Sequence, residues 1–207
     1  MSASRVDDDR KRSILEATWR LIAERGYHVV RVSDIAQVCG TSTGTVHYYF
    51  PGKQDVLVAA LKYCVEQAFA RQSVELKAID DARGRLLRLI DMQLPQPGGV
   101  HNEWLIWLQF WTEAATRPEL RPIHNEFYAR WLDTVVKIVR RGQRQGVFRP
   151  DLDPKYVGLR FTALTDGAAI KVLTGAAGMT VDRMRAMLVD FVDEQLVRPA
   201  ALVESSA

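Results

Sequence analysis

The chain has 207 residues, 47% of them hydrophobic and 26% charged, with a formal net charge of +3. This fits one or two ordinary globular domains with a real core and excludes a disordered or fibrous chain, while the mild basicity neither demands nor forbids a polyanionic partner. The opening "MSASRVDDDRKR" has no apolar stretch of signal-peptide type, and no run reaches the roughly 18 apolar residues that span a bilayer, so no membrane role and a cytoplasmic location are expected.

In chain order, the periodicity is helical nearly throughout. "DDDRKRSILEATWRLIAERG" places Ile14, Ala17, Leu21 and Ile22 on one face, with Leu15, Thr18 and Trp19 beside them. Its aspartates suit the positive end of a helix and Gly26 suits a C-terminal cap. After the link "YHVVRV", "SDIAQVCG" predicts a two-turn helix with Ile35, Ala36 and Cys39 inward and Gly40 closing it. A third short helix runs from about Ser42 to Phe50, where Pro51-Gly52 breaks it. "KQDVLVAALKYCVEQAFARQSVELKAI" predicts a long helix with Val56, Leu57, Ala60, Leu61, Cys64 and Val65 on its apolar side.

Next come a helix at "RGRLLRLIDMQL", a loop at "PQPGGVHN", and an aromatic-rich helix at "EWLIWLQFWTEAAT" that stops at Arg117-Pro118. "RPIHNEFYARWLDTVVKIVRRGQRQG" is a long helix, followed by the turn-rich "VFRPDLDP". "KYVGLRFTALTDGAAIKVL" and "VDRMRAMLVDFVDEQL" are the last two helices, separated by "TGAAGMT", and the tail "VRPAALVESSA" is expected to fray. No useful strand alternation and no internal repeat occurs. The expected fold is all-α with about nine helices. Short helices give way to long ones near residue 52, so the expected domains are 1–52 and 53–207, with the helix at the boundary shared between them.

Two short helices joined by a tight Gly-containing turn behind a longer one form a helix-turn-helix pattern. The second presents Ser42, Thr43, Gly44, Thr45, His47, Tyr48 and Tyr49, followed by Lys53. Between Ile35 and Gln54 there is no carboxylate. A helix entering the DNA major groove has phosphate on both walls, which repel an acid. Short hydroxyls and a glycine let the helix end approach a duplex closely. Thr45 suits a thymine methyl or a base-edge acceptor, Tyr49 and His47 can donate to phosphate, and Lys53 can pair with one by charge. Val46 and Phe50, four apart, are the expected inward anchors. Tyr48 fits groove or packing equally. Helical spacing alone leaves a purely structural bundle as the competing reading.

The stretch "SDIAQVCGTSTGTVHYYFPGKQDVLVAAL" resembles the DNA-binding signature of the TetR family of transcriptional regulators. Ile35, Ala36, Gly40, Ser42, Gly44, Thr45, Tyr49, Phe50, Lys53 and Leu57 match the family pattern, and Val46 replaces a leucine. His47 stands where tyrosine is usual. Arg31 stands where a capping threonine is often found, so either Ser33 starts the second helix late or Arg31 touches phosphate. "WLIWLQFWTEAATRPELRPIHNEFYARW" and "FTALTDGAAIKVL" resemble, more loosely, the betaine-biosynthesis repressor branch.

The resemblance implies a helix-turn-helix DNA-binding domain, here with Arg31, Ser33, Ser42, Thr43, Gly44, Thr45, His47, Tyr48, Tyr49 and Lys53 at the duplex. It further implies a C-terminal helical domain for dimerisation and ligand binding. The protein would be a homodimeric repressor on a roughly palindromic double-stranded operator, released by a small molecule. Action without a ligand, or as an activator, is the alternative.

The last two long helices would form the dimer interface, and Phe161, Leu164, Ala168, Met184, Leu188 and Phe191 supply apolar stripes there; ordinary intramolecular core is the other reading. Trp104, Trp107, Leu108 and Trp111 share one helical face, and Phe127, Tyr128 and Trp131 recur on the next long helix. Such rings line a pocket for an apolar or cationic molecule, or they are plain core. Glu103, Glu113 and Asp166 lie near these segments; an acid buried there needs a partner, either a ligand cation of choline type or a basic side chain.

Catalysis is not expected. Cys39 and His47 are eight apart, but Cys39 falls at the inward end of a short helix. The histidines and cysteines show no metal-ligand spacing, and no phosphate-cradling glycine loop is present, so neither metal nor cofactor is expected. Both cysteines read as buried free thiols.

Overall fold

The computed structural model describes residues 3–197, and among them it is all-α. The helices are α1 (Ala3–Arg25), α2 (Val32–Val38), α3 (Thr43–Tyr49), α4 (Lys53–Lys77), α5 (Ala82–Gln93), α6 (Gly99–Thr116), α7 (Arg121–Arg144), α8 (Pro154–Leu173) and α9 (Val181–Gln195), with a 3-10 turn at Pro118–Leu120. The tail beyond Val197, expected to fray, lies outside the described residues.

The chain divides into two compact units. The first holds residues up to Phe69 together with His101–Pro118; the second holds Ala70–Val100 and the chain from Glu119 onward. One edge between the units falls inside α4. The reason is visible in the burial of Val56, Leu57, Ala60, Leu61, Cys64 and Val65: this part of α4 is core, not linker.

In the first unit, Ile14, Ala17, Leu21 and Ile22 of α1 are buried as their period requires, together with Ile35 and Ala36 of α2 and Val46 of α3. Thr18 is also fully buried; its hydroxyl donates to the Ile14 carbonyl at 2.7 Å, which satisfies it inside its own helix. Two details differ from expectation. Helix α1 begins at Ala3, so Asp7, Asp8 and Asp9 sit in its second turn instead of at its dipole end. Helix α2 begins at Val32, with Arg31 as its extended N-cap, so Ser33 does not start the helix late. Asp34 accepts the Arg31 backbone N–H at 2.8 Å, the half of a capping box that does not depend on the N-cap side chain.

The second unit packs α7 on α8, α8 on α9, and α5 on both α7 and α9. Its core is Leu86, Leu89 and Ile90 of α5, Val135 and Val139 of α7, Phe161 and Ala169 of α8, and Met184, Leu188 and Val192 of α9. Gly158 sets the α7–α8 approach, because a Cβ there would press against Leu132 at 2.8 Å. A bidentate pair from Arg83 to Asp193 (2.7 and 2.8 Å) ties α5 to α9. The expected loop at 95–102 is shorter than its composition suggests. Gly98, at φ 123°, turns the corner alone, and α6 starts at Gly99.

Candidate functional site

Helix α3 is a seven-residue helix held by its ends. Ser42 is its N-cap and accepts the Thr45 backbone N–H at 3.0 Å, while the two hydroxyls lie 2.9 Å apart. Val46 and Phe50 are buried, as the four-residue spacing requires. Those anchors turn the rest of the helix outward. Ser42, Thr43, Gly44, His47 and Tyr48 are exposed, and Thr45 and Tyr49 are half-buried. Tyr48 is 79% exposed, and its ring meets only the Tyr49 ring, edge-on, among the ring contacts of the described residues. Nothing in the chain requires a glycine at 44, where a Cβ would meet only Ser42 Oγ at an ordinary 3.6 Å.

Besides Ser42 and Thr45, three more of the expected contact residues have partners inside the protein. His47 Nδ1 lies 3.3 Å from the Pro51 carbonyl, so a ring donating there leaves Nε2 a donor only when doubly protonated. Lys53 Nζ donates to the His28 carbonyl at 3.0 Å and sits 4.6 Å above the Tyr27 ring, and burial pulls its pKa below the ordinary lysine value. The Tyr49 hydroxyl donates to the Asp7 carboxylate of α1. Sequence distance hid this last contact: the stretch around α3 has no acid of its own, yet α1 brings one to its edge. Arg31 and Ser33 are exposed.

Helix α6 of the same unit carries two stripes. Trp104 is buried and Trp107, Leu108 and Trp111 are half-buried. The rings form a ladder, with Trp104–Trp111 at 6.2 Å edge-on and Trp107–Trp111 at 6.0 Å tilted. The second stripe is Gln109 and Glu113, continued by Arg117 just past the end of the helix. Gln109 Oε1 accepts the Tyr27 backbone N–H at 3.3 Å, and Glu113 meets His28 Nε2 at 3.1 Å. Arg117 lies 3.2 Å from Glu113 and donates to Gln54 Oε1 at 2.8 Å. Residues two apart are turned by about 200°, so the stripes occupy opposite faces of one helix. Glu113 is thus a buried acid with basic partners from its own chain. Sequence reading flagged Glu113 but missed Tyr27, His28, Gln109 and Arg117; a polar repeat of four on an otherwise apolar helix was the available signal.

In the second unit, Phe127 is buried, while Tyr128 and Trp131 are half-buried. The Tyr128 hydroxyl is 2.8 Å from Thr162 Oγ1, and its ring stacks on His124. One turn beyond Thr162 stands Asp166. Burial alone pushes its pKa up to about 7, and no hydrogen bond or ion pair joins it to another described residue. A withdrawn carboxylate without a partner is costly unless it takes a proton or a cation.

The apolar stripes of α8 and α9 divide by burial. Phe161, Ala168, Met184 and Leu188 are enclosed by their own unit and have no surface to offer a second copy. Leu164 and Phe191 are half-buried. The outer face of α8 instead exposes Tyr156, Leu159, Arg160, Ala163 and Gly167, with the Arg160 guanidinium 5.1 Å from the Phe191 ring.

Cys39 does not have the surroundings of an activated nucleophile. Cys39 Sγ lies 3.5 Å from the Ser13 carbonyl, and burial raises its pKa, the reverse of activation. Among the described residues, no cluster suits a metal ion and no helix is long and apolar enough to cross a membrane.

Comparison with known proteins matches both parts of the chain. Residues 14–60 match bacterial regulatory proteins of the tetR family, and residues 82–197 match the C-terminal domain of BetI-type transcriptional repressors. A transcriptional regulator from Saccharomonospora viridis, crystallised in complex with choline, is 49% identical. It covers 93% of this chain and 100% of its own, at a TM-score of 0.88. The HTH-type transcriptional regulator BetI 1 of Chromohalobacter salexigens is 26% identical over 96% of each chain. The fatty acid metabolism regulator protein of Bacillus subtilis is 31% identical over 68% of this chain and 71% of its own.

Proposed function

Since the chain belongs to the TetR family of transcriptional repressors, with a BetI-type C-terminal domain, we propose that it is a cytoplasmic homodimeric repressor released from its operator by a quaternary ammonium compound of choline type. The observation that carries the ligand class is Asp166. Of the acids near the aromatic segments, Glu113 is paired by His28 and Arg117, and Glu103 has an interaction of its own within the chain. Asp166 has no hydrogen-bond or ion-pair partner among the described residues. A quaternary ammonium has no proton to give, so it is held by charge and by the faces of rings. Asp166 supplies the charge in the second unit, with Phe127, Tyr128 and Trp131 as its aromatic complement. The choline complex of the Saccharomonospora viridis regulator supports the same chemistry.

On the DNA side, Ser42, Thr43, Gly44, Thr45, His47 and Tyr48 form the reading face, and Arg31, Ser33, Tyr49 and Lys53 are its phosphate contacts. Two copies join through the exposed face of α8, with Leu164 and Phe191 beside it. A ligand releases DNA only if it binds the non-operator conformation better. Helix α6 provides the route, because one face carries the tryptophans and the other grips Tyr27, His28 and Gln54 at the base of the reading head.

Titration calorimetry with choline tests the ligand. The wild-type protein is expected to bind, and Asp166→Asn to bind at least about tenfold more weakly, a loss of about 1.4 kcal/mol. Equal affinity of the two proteins would remove Asp166 from the site.

A further inference from the structure

The Tyr49 hydroxyl has one proton to donate, and in this structure the Asp7 carboxylate takes it. The ring itself is held. Tyr48 packs edge-on against it at 5.0 Å, and the buried Phe50 lies 6.4 Å away. The hydroxyl therefore stays at the edge of the reading helix, and any change of partner takes place there. Asp7 is exposed on the second turn of α1, where its carboxylate can turn to solvent. Its hydrogen bond is the leading reason that the Tyr49 phenol holds its proton above the ordinary tyrosine range.

We propose that Asp7 is a built-in competitor of the DNA phosphate for the Tyr49 hydroxyl, so that engagement of a duplex requires the tyrosine to exchange a carboxylate for a phosphate oxygen. This rests on the DNA-binding role of α3. The two acceptors carry like charge and cannot share one proton, so Asp7 must leave when phosphate arrives. The contact lowers affinity for any duplex and keeps the reading head off generic DNA until base contacts add to the phosphate contacts.

Phosphate contacts are independent of sequence, so a labelled duplex of arbitrary sequence at one low, fixed salt concentration is a sufficient probe. Asp8→Asn is the control: it removes the same charge one residue on, about 100° round the helix. By fluorescence anisotropy, Asp7→Asn is expected to bind this duplex roughly fivefold tighter than Asp8→Asn. The excess is expected to vanish when both substitutions are repeated on a Tyr49→Phe background. Equal effects of the two substitutions, weaker binding by Asp7→Asn, or an excess that survives in Tyr49→Phe would each overturn the proposal. A folded wild-type protein that binds no duplex at all would instead remove the DNA-binding reading on which it rests.

Discussion

Ser42 and Thr45 show how two neighbouring hydroxyls divide their work. Ser42 is spent on the helix cap, whereas Thr45 keeps its methyl and a free lone pair beside the exposed face. Thr45→Ala is expected to weaken operator binding by about 1–3 kcal/mol while leaving thermal stability nearly unchanged. Tyr49→Phe should cost a similar amount, and anisotropy titrations at one salt concentration measure both. Asp166 makes a prediction of a different kind. Its folded pKa, about 7, lies above the ordinary carboxylate value, so the folded state binds the extra proton between those two values. Stability from this group is present at low pH and is lost as pH rises toward 7. Asp166→Asn should therefore be the more stable protein above pH 7 by thermal unfolding. Choline needs the charged form, so the wild-type affinity should fall about tenfold per unit as pH drops below that pKa and stay flat above it. The Asn variant should show no such slope.

Helices α3 and α6 differ in how much of them the sequence pattern reveals. For α3, the cap, the two anchors and the stop at Pro51-Gly52 are all local, and the structure places each of them as the spacing suggests. What the pattern could not contain is Asp7, forty-two residues away, because a hydrogen bond between elements leaves no periodic trace. Helix α6 reads as one aromatic face from its tryptophans; its second face is carried by three polar residues whose partners lie in the α1–α2 turn and at the start of α4. Likewise, the stripes on α8 and α9 are evident, but periodicity cannot tell which apolar residues face their own unit and which face outward. Burial decides that for Phe161 and Met184 on one side and Leu159 on the other. The α6 grip is testable at this scale. Glu113→Gln keeps the shape and removes the charge that holds His28 and Arg117, so choline should still bind. Its effect on operator affinity should shrink by about fivefold or more, the scale of typical coupling energies. Undiminished coupling, from operator titrations with and without choline, would place the route elsewhere.

At the scale of the whole molecule, the outer face of α8 leaves Leu159 at 46% exposure and Tyr156 at 61%, with Ala163 and Gly167 between charged neighbours. Small residues allow a second helix to come close, and a two-fold dimer then presents two reading helices to half-sites about one helical turn apart or somewhat more. Leu159→Glu is expected to give a monomer by light scattering that stays folded but loses specific operator binding, since each head alone makes half the contacts. The measurement that reaches the central claim most directly is an anisotropy titration of the dimer against duplex DNA from upstream of its own gene, with and without saturating choline. Tight, salt-sensitive binding of two chains per site is expected, with at least a tenfold loss of affinity with choline, about 1.4 kcal/mol of coupling. Operator affinity that stays the same while choline is demonstrably bound would contradict it.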